Sequence, residues 1–238
     1  MVRPIVNRFK DSESVAKAAA ADLFDFLKGR LAIQERVDIA VTGGTVGIAT
    51  LAQASLLPFN ELDLSRVHIW WGDERFVESD SGDRNDLQAI NAWFKKTQGF
   101  HLHRFPAAEE SLTLQQAATQ FNAHVIAEGR DFDLMLMGMG PDGHIASLFP
   151  DQQVGSSSEF IVAVEDSPKP PPQRLSFSYQ AINRTEEIWF TVAGADKANA
   201  VSVVFGDDPS LLPAGRIKGR KKTVWYVDQT AGSIVWGC

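Results

Sequence analysis

The chain has 238 residues, 44% of them hydrophobic, which is enough to bury a sizeable core and excludes a disordered protein. Its formal net charge of −7 leaves only the short basic run 216–222, read as a solvated turn, and so argues against a nucleic-acid partner. The one cysteine, Cys238, permits no internal disulfide, the opening MVRPIVNRFK lacks the apolar core of a secretory signal, and no apolar run approaches the roughly 20 residues of a membrane helix, so a soluble cytoplasmic protein with no membrane partner is expected.

Short β-rich runs alternate with Ala/Leu-rich helical runs, with no linker between them, which predicts one domain spanning 1–238. The first strand is expected at 5–9, followed by a helix over 12–34 entered through an Asp11 or Ser12 cap. A strand at 37–42 leads to a helix over 46–57, and one at 67–71 to a helix over 83–96. A strand at 101–105 precedes a helix over 111–128. Further strands are expected at 132–137, 160–164, 174–178, 187–192 and 223–227, with a helix over 196–205. VDIAV and FDLMLM are continuous apolar runs, as strands buried on both faces are. The fold class is therefore α/β, a Rossmann-like, mostly parallel sheet covered by helices on both faces. In such folds ligands bind beyond the carboxyl ends of the strands.

Four segments at those ends carry chemistry. Gly43-Gly44-Thr45 after DIAVT is either a tight turn or a phosphate cradle, where backbone N–H groups and a helix N-terminus meet an anion. Asp73 and Arg75 in WGDER point to one side of the chain if it stays extended there; Arg75 suits a phosphate, or else a loop salt bridge. GMGPDGHIASLFP satisfies a dinucleotide G-x-G-x-x-G pattern on paper. Pro150, Gly155 and a serine triplet leave room for only about one helical turn after it, where that site needs about three. What remains is a glycine turn, with Gly140 and Gly143, presenting Asp142 and His144 over a short helix start, the arrangement of an oriented general base. Finally, Lys197 falls in the first turn of a helix, against the dipole preference, which an anionic ligand would explain. Arg174, after the proline run, is a further cation.

No H-E-x-x-H, C-x-x-C, G-x-S-x-G or Walker motif occurs. His101 and His103 alternate along one strand and read as a surface pair, since no third metal ligand lies near them in sequence. Ser147 reads as a helix-surface hydroxyl. No metal or cofactor is expected.

In this order, WGDER at 71–75 and GMGPDGHIASLFP at 138–150, supported by KPPPQRLSFS, VAGADKANAV and LPAGRI, resemble the 6-phosphogluconolactonase family over essentially the whole chain. The related glucosamine-6-phosphate deaminases carry N-M-D-E-Y and D-G-H-I-A-F-N-E-P at the corresponding places, so their acidic partner is absent here. The resemblance implies hydrolysis of 6-phospho-D-glucono-1,5-lactone, with His144 and Asp142 catalytic. It implies substrate contacts from Gly43, Gly44, Thr45, Asp73, Arg75, Gly140, Gly143, Arg174 and Lys197, in a monomer or weak homo-oligomer. A sugar-phosphate deaminase or a non-catalytic sugar-phosphate sensor are the alternatives. Two departures stand out. The phosphate turn often reads G-G-S-T-P in the family but continues Thr45-Val46-Gly47 here, and Arg84 stands where serine is usual.

Overall fold

The computed structural model describes residues 3–109, 111–152 and 158–237, so Gly155, most of the serine triplet and Cys238 lie outside the described residues. Among the described residues ten strands are formed: β1 (Ile5–Phe9), β2 (Val37–Val41), β3 (Val67–Trp71), β4 (Asp73–Arg75), β5 (His101–Leu102), β6 (Leu134–Met137), β7 (Ile161–Val164), β8 (Arg174–Phe177), β9 (Glu187–Val192) and β10 (Lys222–Asp228). Seven build one all-parallel sheet in the order β1-β10-β9-β6-β2-β3-β5. Every residue of β2 and β6 is buried, as their continuous apolar sequences require of strands covered on both faces.

Helices flank this sheet: α1 (Ser12–Leu31), α2 (Gly44–Ala54), α3 (Asn85–Ala89), α4 (Leu114–Glu128), α5 (Tyr179–Ile182), α6 (Ala198–Val204) and α7 (Ser233–Trp236). Asp11 caps α1 by accepting from the Ser14 N–H at 2.9 Å. Thr113 and Gln116 close a capping box on α4, which therefore starts later than its sequence suggests. α3 is also shorter than expected, because the chain passes at Ile90 into a π-helical turn that runs to Phe94.

Three expectations are corrected. The strand expected at 101–105 is only His101–Leu102, an edge strand paired to β3 alone. The segment WGDER leaves the main sheet at Gly72 and continues as β4, which pairs antiparallel with β8, itself antiparallel to β7. β7 and β8 thus belong to a small second sheet, joined to the first through one continuous core. The third concerns the residues after His144: they form no helix start but a tight turn, closed by Leu148 N–H donating to Ile145 O at 2.8 Å.

From β2 the chain order runs outward through β3 to β5, and from β6 it runs the other way through β9 to β10. β2 and β6 are neighbours, so the order reverses between them, and the crevice beyond their carboxyl ends is where such a sheet places a ligand.

Candidate active site

A cleft of about 510 Å³ lies at that reversal. Its floor is built by the turns after β2, β6 and β9, and the small sheet supplies one wall through Asp73, Arg75 and Arg174.

After β2, Gly43 caps α2 without a side-chain bond, and Gly44, Thr45 and Val46 open the helix. Their N–H groups lack intrahelical partners by geometry and face the cleft, and together with the helix dipole they are an arrangement that can hold an anion. Gly43 is required by contact, since a Cβ there would lie 2.0 Å from Oδ1 of Asn85. Gly47 is required for packing, because its Cβ would meet Thr42 Cγ2 at 2.7 Å and Thr42 O at 2.8 Å. The departure at Gly47 therefore lets α2 sit close on β2.

β4 keeps WGDER extended, and Asp73 and Arg75 both line the cleft. Asp73 is buried and ties loops together: its Oδ2 accepts from Ser147 Oγ at 2.6 Å and its Oδ1 from Asn85 Nδ2 at 3.2 Å. Ser147 is thus fully buried, a correction to the surface hydroxyl expected of it. Arg75 donates from Nη1 to Asp83 O at 2.5 Å, while its buried Nε has no partner among the described residues. Directly across the β4–β8 ladder stands Arg174, buried, with Nε on Pro171 O and Nη2 on Lys169 O. Burial pushes the Arg174 guanidinium below its ordinary value, partly offset by Asp73. Arg84 turns away from the cleft. It is buried, forks onto Asp86 and donates to Phe105 O at 2.8 Å, so it takes no part in lining the site.

After β6, Asp142 Oδ1 and His144 Nδ1 are 2.5 Å apart. His144 lines the cleft with 16% of its side chain exposed, and its ring packs against buried Phe149 at 4.6 Å between centroids. Burial holds the imidazole below its ordinary value, while Asp142 pulls the other way and Lys169 adds to the lowering. Burial alone would raise Asp142, but the hydrogen bond and charge of His144 outweigh it and keep the carboxyl below its usual range.

Gly140 and Gly143 differ in role. Gly140 lines the cleft, but its N–H donates to His144 O at 2.9 Å. Gly143, with φ of +77°, backs onto Leu212, and its N–H donates to Gly140 O at 3.0 Å. Neither N–H is left to receive a developing oxyanion.

After β9, Gly194 takes φ of +109° and leads into a 3₁₀ turn over Ala195–Lys197, rather than directly into α6. Lys197 lines the cleft and pairs with Asp196 at 2.8 Å. Asp228 fixes this corner by accepting from the N–H groups of Gly194 at 3.1 Å and Ala231 at 2.7 Å. Lys169, Asn85 and Asp228 also line the cleft, and sequence reasoning did not assign them a site role. The proline run beside Lys169 was the available signal for that cation.

The family profile described as glucosamine-6-phosphate isomerases/6-phosphogluconolactonase matches residues 10–225. The chain belongs to this family. Within the lactonase/isomerase family it is 36% identical to the 6-phosphogluconolactonase of Mycobacterium leprae, over 98% of both chains. It has the fold of a 6-phosphogluconolactonase from Thermotoga maritima, with a TM-score of 0.83 at 23% identity over 95% of this chain and 100% of that one. A monomeric glucosamine-6-phosphate deaminase superposes with a TM-score of 0.80 at 19% identity over 97% of this chain and 99% of that one, so fold does not separate the two branches of the family. The residues around His144 do.

Proposed function

We propose that this chain hydrolyses 6-phospho-D-glucono-1,5-lactone to 6-phospho-D-gluconate, the second step of the oxidative pentose phosphate pathway, by general-base activation of water. The observation that carries the choice of branch is Phe149. In the deaminase pattern D-G-H-I-A-F-N-E-P a glutamate stands there, whereas here a buried aromatic ring packs against His144. The acid that a deaminase sets beside its histidine is replaced by an apolar surface, and a base without that partner suits ester hydrolysis.

His144 takes the proton of a water attacking C1. Its Nδ1 faces Asp142, so Nε2 is the nitrogen with no partner among the described residues, and a carboxylate on Nδ1–H keeps the Nε2 lone pair free. When the tetrahedral intermediate collapses, the C1–ring oxygen bond breaks and the same proton goes to the ring oxygen. Asp142 orients the ring and stabilises its transient cation. With the N–H groups of Gly140 and Gly143 engaged, Lys169, whose charge acts on His144, and Arg174, which lies over Phe149, counter the developing oxyanion. The 6-phosphate lies against the N-terminus of α2, with Arg75 and Lys197 as counter-charges. In a chain of net charge −7 this local positive cluster is what admits an anionic substrate.

No helix is long and apolar enough to cross a membrane among the described residues. A substrate that is a free sugar phosphate accords with a cytoplasmic enzyme acting as a monomer or weak homo-oligomer without nucleic acid. The test is proton release from fresh lactone, run beside ammonia release from glucosamine 6-phosphate. Lactone turnover above the spontaneous rate without ammonia is expected; ammonia without lactone turnover reverses the assignment.

A further inference from the structure

His103 forms no pair with His101. It sits between two other imidazoles: its Nε2 is 2.7 Å from Nδ1 of His68 on β3, and its Nδ1 is 2.8 Å from Nε2 of His124 on α4. One turn further along α4, Glu128 brings a carboxylate oxygen within 4.8 Å of one ring nitrogen of His68 and one of His103. The indole of Trp70 lies flat on His103, at 3.9 Å between centroids and 3° between planes, which fixes that ring from one side. His68 stands near the amino end of β3 and Glu128 at the carboxyl end of α4, whereas the cleft lies beyond the carboxyl ends of the strands. None of these side chains lines the cleft.

We propose that His68, His103 and Glu128 form a binding site for a borderline divalent transition ion of the zinc type, with water completing the coordination and His124 orienting His103. Two imidazole nitrogens and one carboxylate oxygen are the three-ligand set that zinc accepts with a fourth position open. His124 stands where a histidine ligand's other nitrogen finds its partner, the arrangement that holds a ligand ring in one orientation and tautomer. Metal binding needs neutral rings, and burial, the leading cause, disfavours the charged form of both His103 and His68. One proton lies in the His68–His103 bond. When the ion takes its place, that proton moves to the other nitrogen of its own ring, and no net proton is lost. Ligand nitrogens about 2.0–2.1 Å from a tetrahedral ion lie roughly 3.3 Å apart with their lone pairs converging on it, so the two rings, whose nitrogens face each other at 2.7 Å, must part by about half an ångström and also tilt to aim at the ion. Arg36 is the cation facing the group. It is itself neutralised, by Asp38 at 2.7 Å and by Oε2 of Glu128 at 2.7 Å.

The site joins β3, the segment after β5 and the end of α4, so occupancy stabilises the fold and leaves turnover alone. Chelator-treated protein titrated with Co(II) is expected to bind one equivalent, develop visible d–d absorption and lose Trp70 fluorescence. Zn(II) at a hundredfold excess over its Kd is expected to raise Tm on the order of 5 °C. His68→Gln and Glu128→Gln should weaken binding at least tenfold with lactone turnover unchanged. His101→Ala removes an exposed ring stacked on His68 and should bind as the parent does. Absence of cobalt absorption in the parent chain, or equal affinity in the His68→Gln and Glu128→Gln variants, overturns the proposal. Since binding is read by absorption and melting, a failure of the lactonase assignment would leave this result untouched.

Discussion

A Cβ placed on Gly140 would lie 2.0 Å from Nδ1 of His144 and 2.5 Å from Oδ1 of Asp142. The dyad is thus seated directly on the backbone of the turn, and no larger residue leaves room for it. Gly140→Ala must displace the imidazole or its carboxylate, and a misplacement of about 1 Å costs on the order of a hundredfold in rate. We expect kcat to fall by that order with little change in Tm, measured by steady-state kinetics and calorimetry. Unaltered kcat would show that the observed dyad geometry is not the working one.

The phosphate site predicts a different kinetic pattern. Arg75 and Lys197 reach the cleft from separate sheet systems, and on the proposed reading each would offer a charge-assisted contact to the same anion. Arg75→Ala or Lys197→Ala should lower kcat/KM by roughly 30- to 1,000-fold, about 2–4 kcal/mol, mostly through KM. Equal kinetics for both variants and the parent would remove these residues from the site.

Arg84 stands where the family often has serine, and the structure gives it a structural task. It is buried against Asp86, which also takes Arg104 at 2.8 Å. Arg84→Ala leaves a buried carboxylate short of a partner, at a cost of about 3–5 kcal/mol. In a chain of this length that lowers Tm on the order of 10 °C. The KM of the folded fraction should not change. A raised KM at unchanged Tm would mean that Arg84 touches substrate after all.

Most of the parallel sheet was legible because its strands are short runs rich in apolar and β-branched residues, and β9 and β1 fall where the pattern puts them. Of the small sheet, β7 and β8 were expected close to where they lie, but neither β4 nor the antiparallel pairing was. Only tertiary pairing of β4 with β8 makes a strand of the charged Asp73-Glu74-Arg75, whose composition argues for a loop. The cleft residues that follow strands directly were found for the same reason that strands were. Lys169 was missed because it sits in a loop before β8, and sequence could not show that the N–H groups of Gly140 and Gly143 already face carbonyls. The histidine cluster was invisible for a related reason: His68, His103 and His124 are separated by 35 and 21 residues and meet only in three dimensions.

The last prediction concerns the acid limb of activity. If His144 is the base, protonation removes it, so kcat falls as pH drops through its folded-state value. Burial sets that value below the ordinary 6.5. Asp142 raises the His144 value and Lys169 lowers it, so their removal should move the limb in opposite directions. Asp142→Asn should shift it to lower pH and lower kcat by less than His144→Ala does, since the base remains. Lys169→Ala should shift it to higher pH. His144→Ala should lower kcat by roughly 10²–10⁴ with KM nearly intact and abolish the limb, once spontaneous lactone hydrolysis is subtracted. These shifts are read from pH–rate profiles of the four proteins under one buffer series. A limb that moves the same way in both charge variants, or that survives in His144→Ala, would assign the water-activating role to another group.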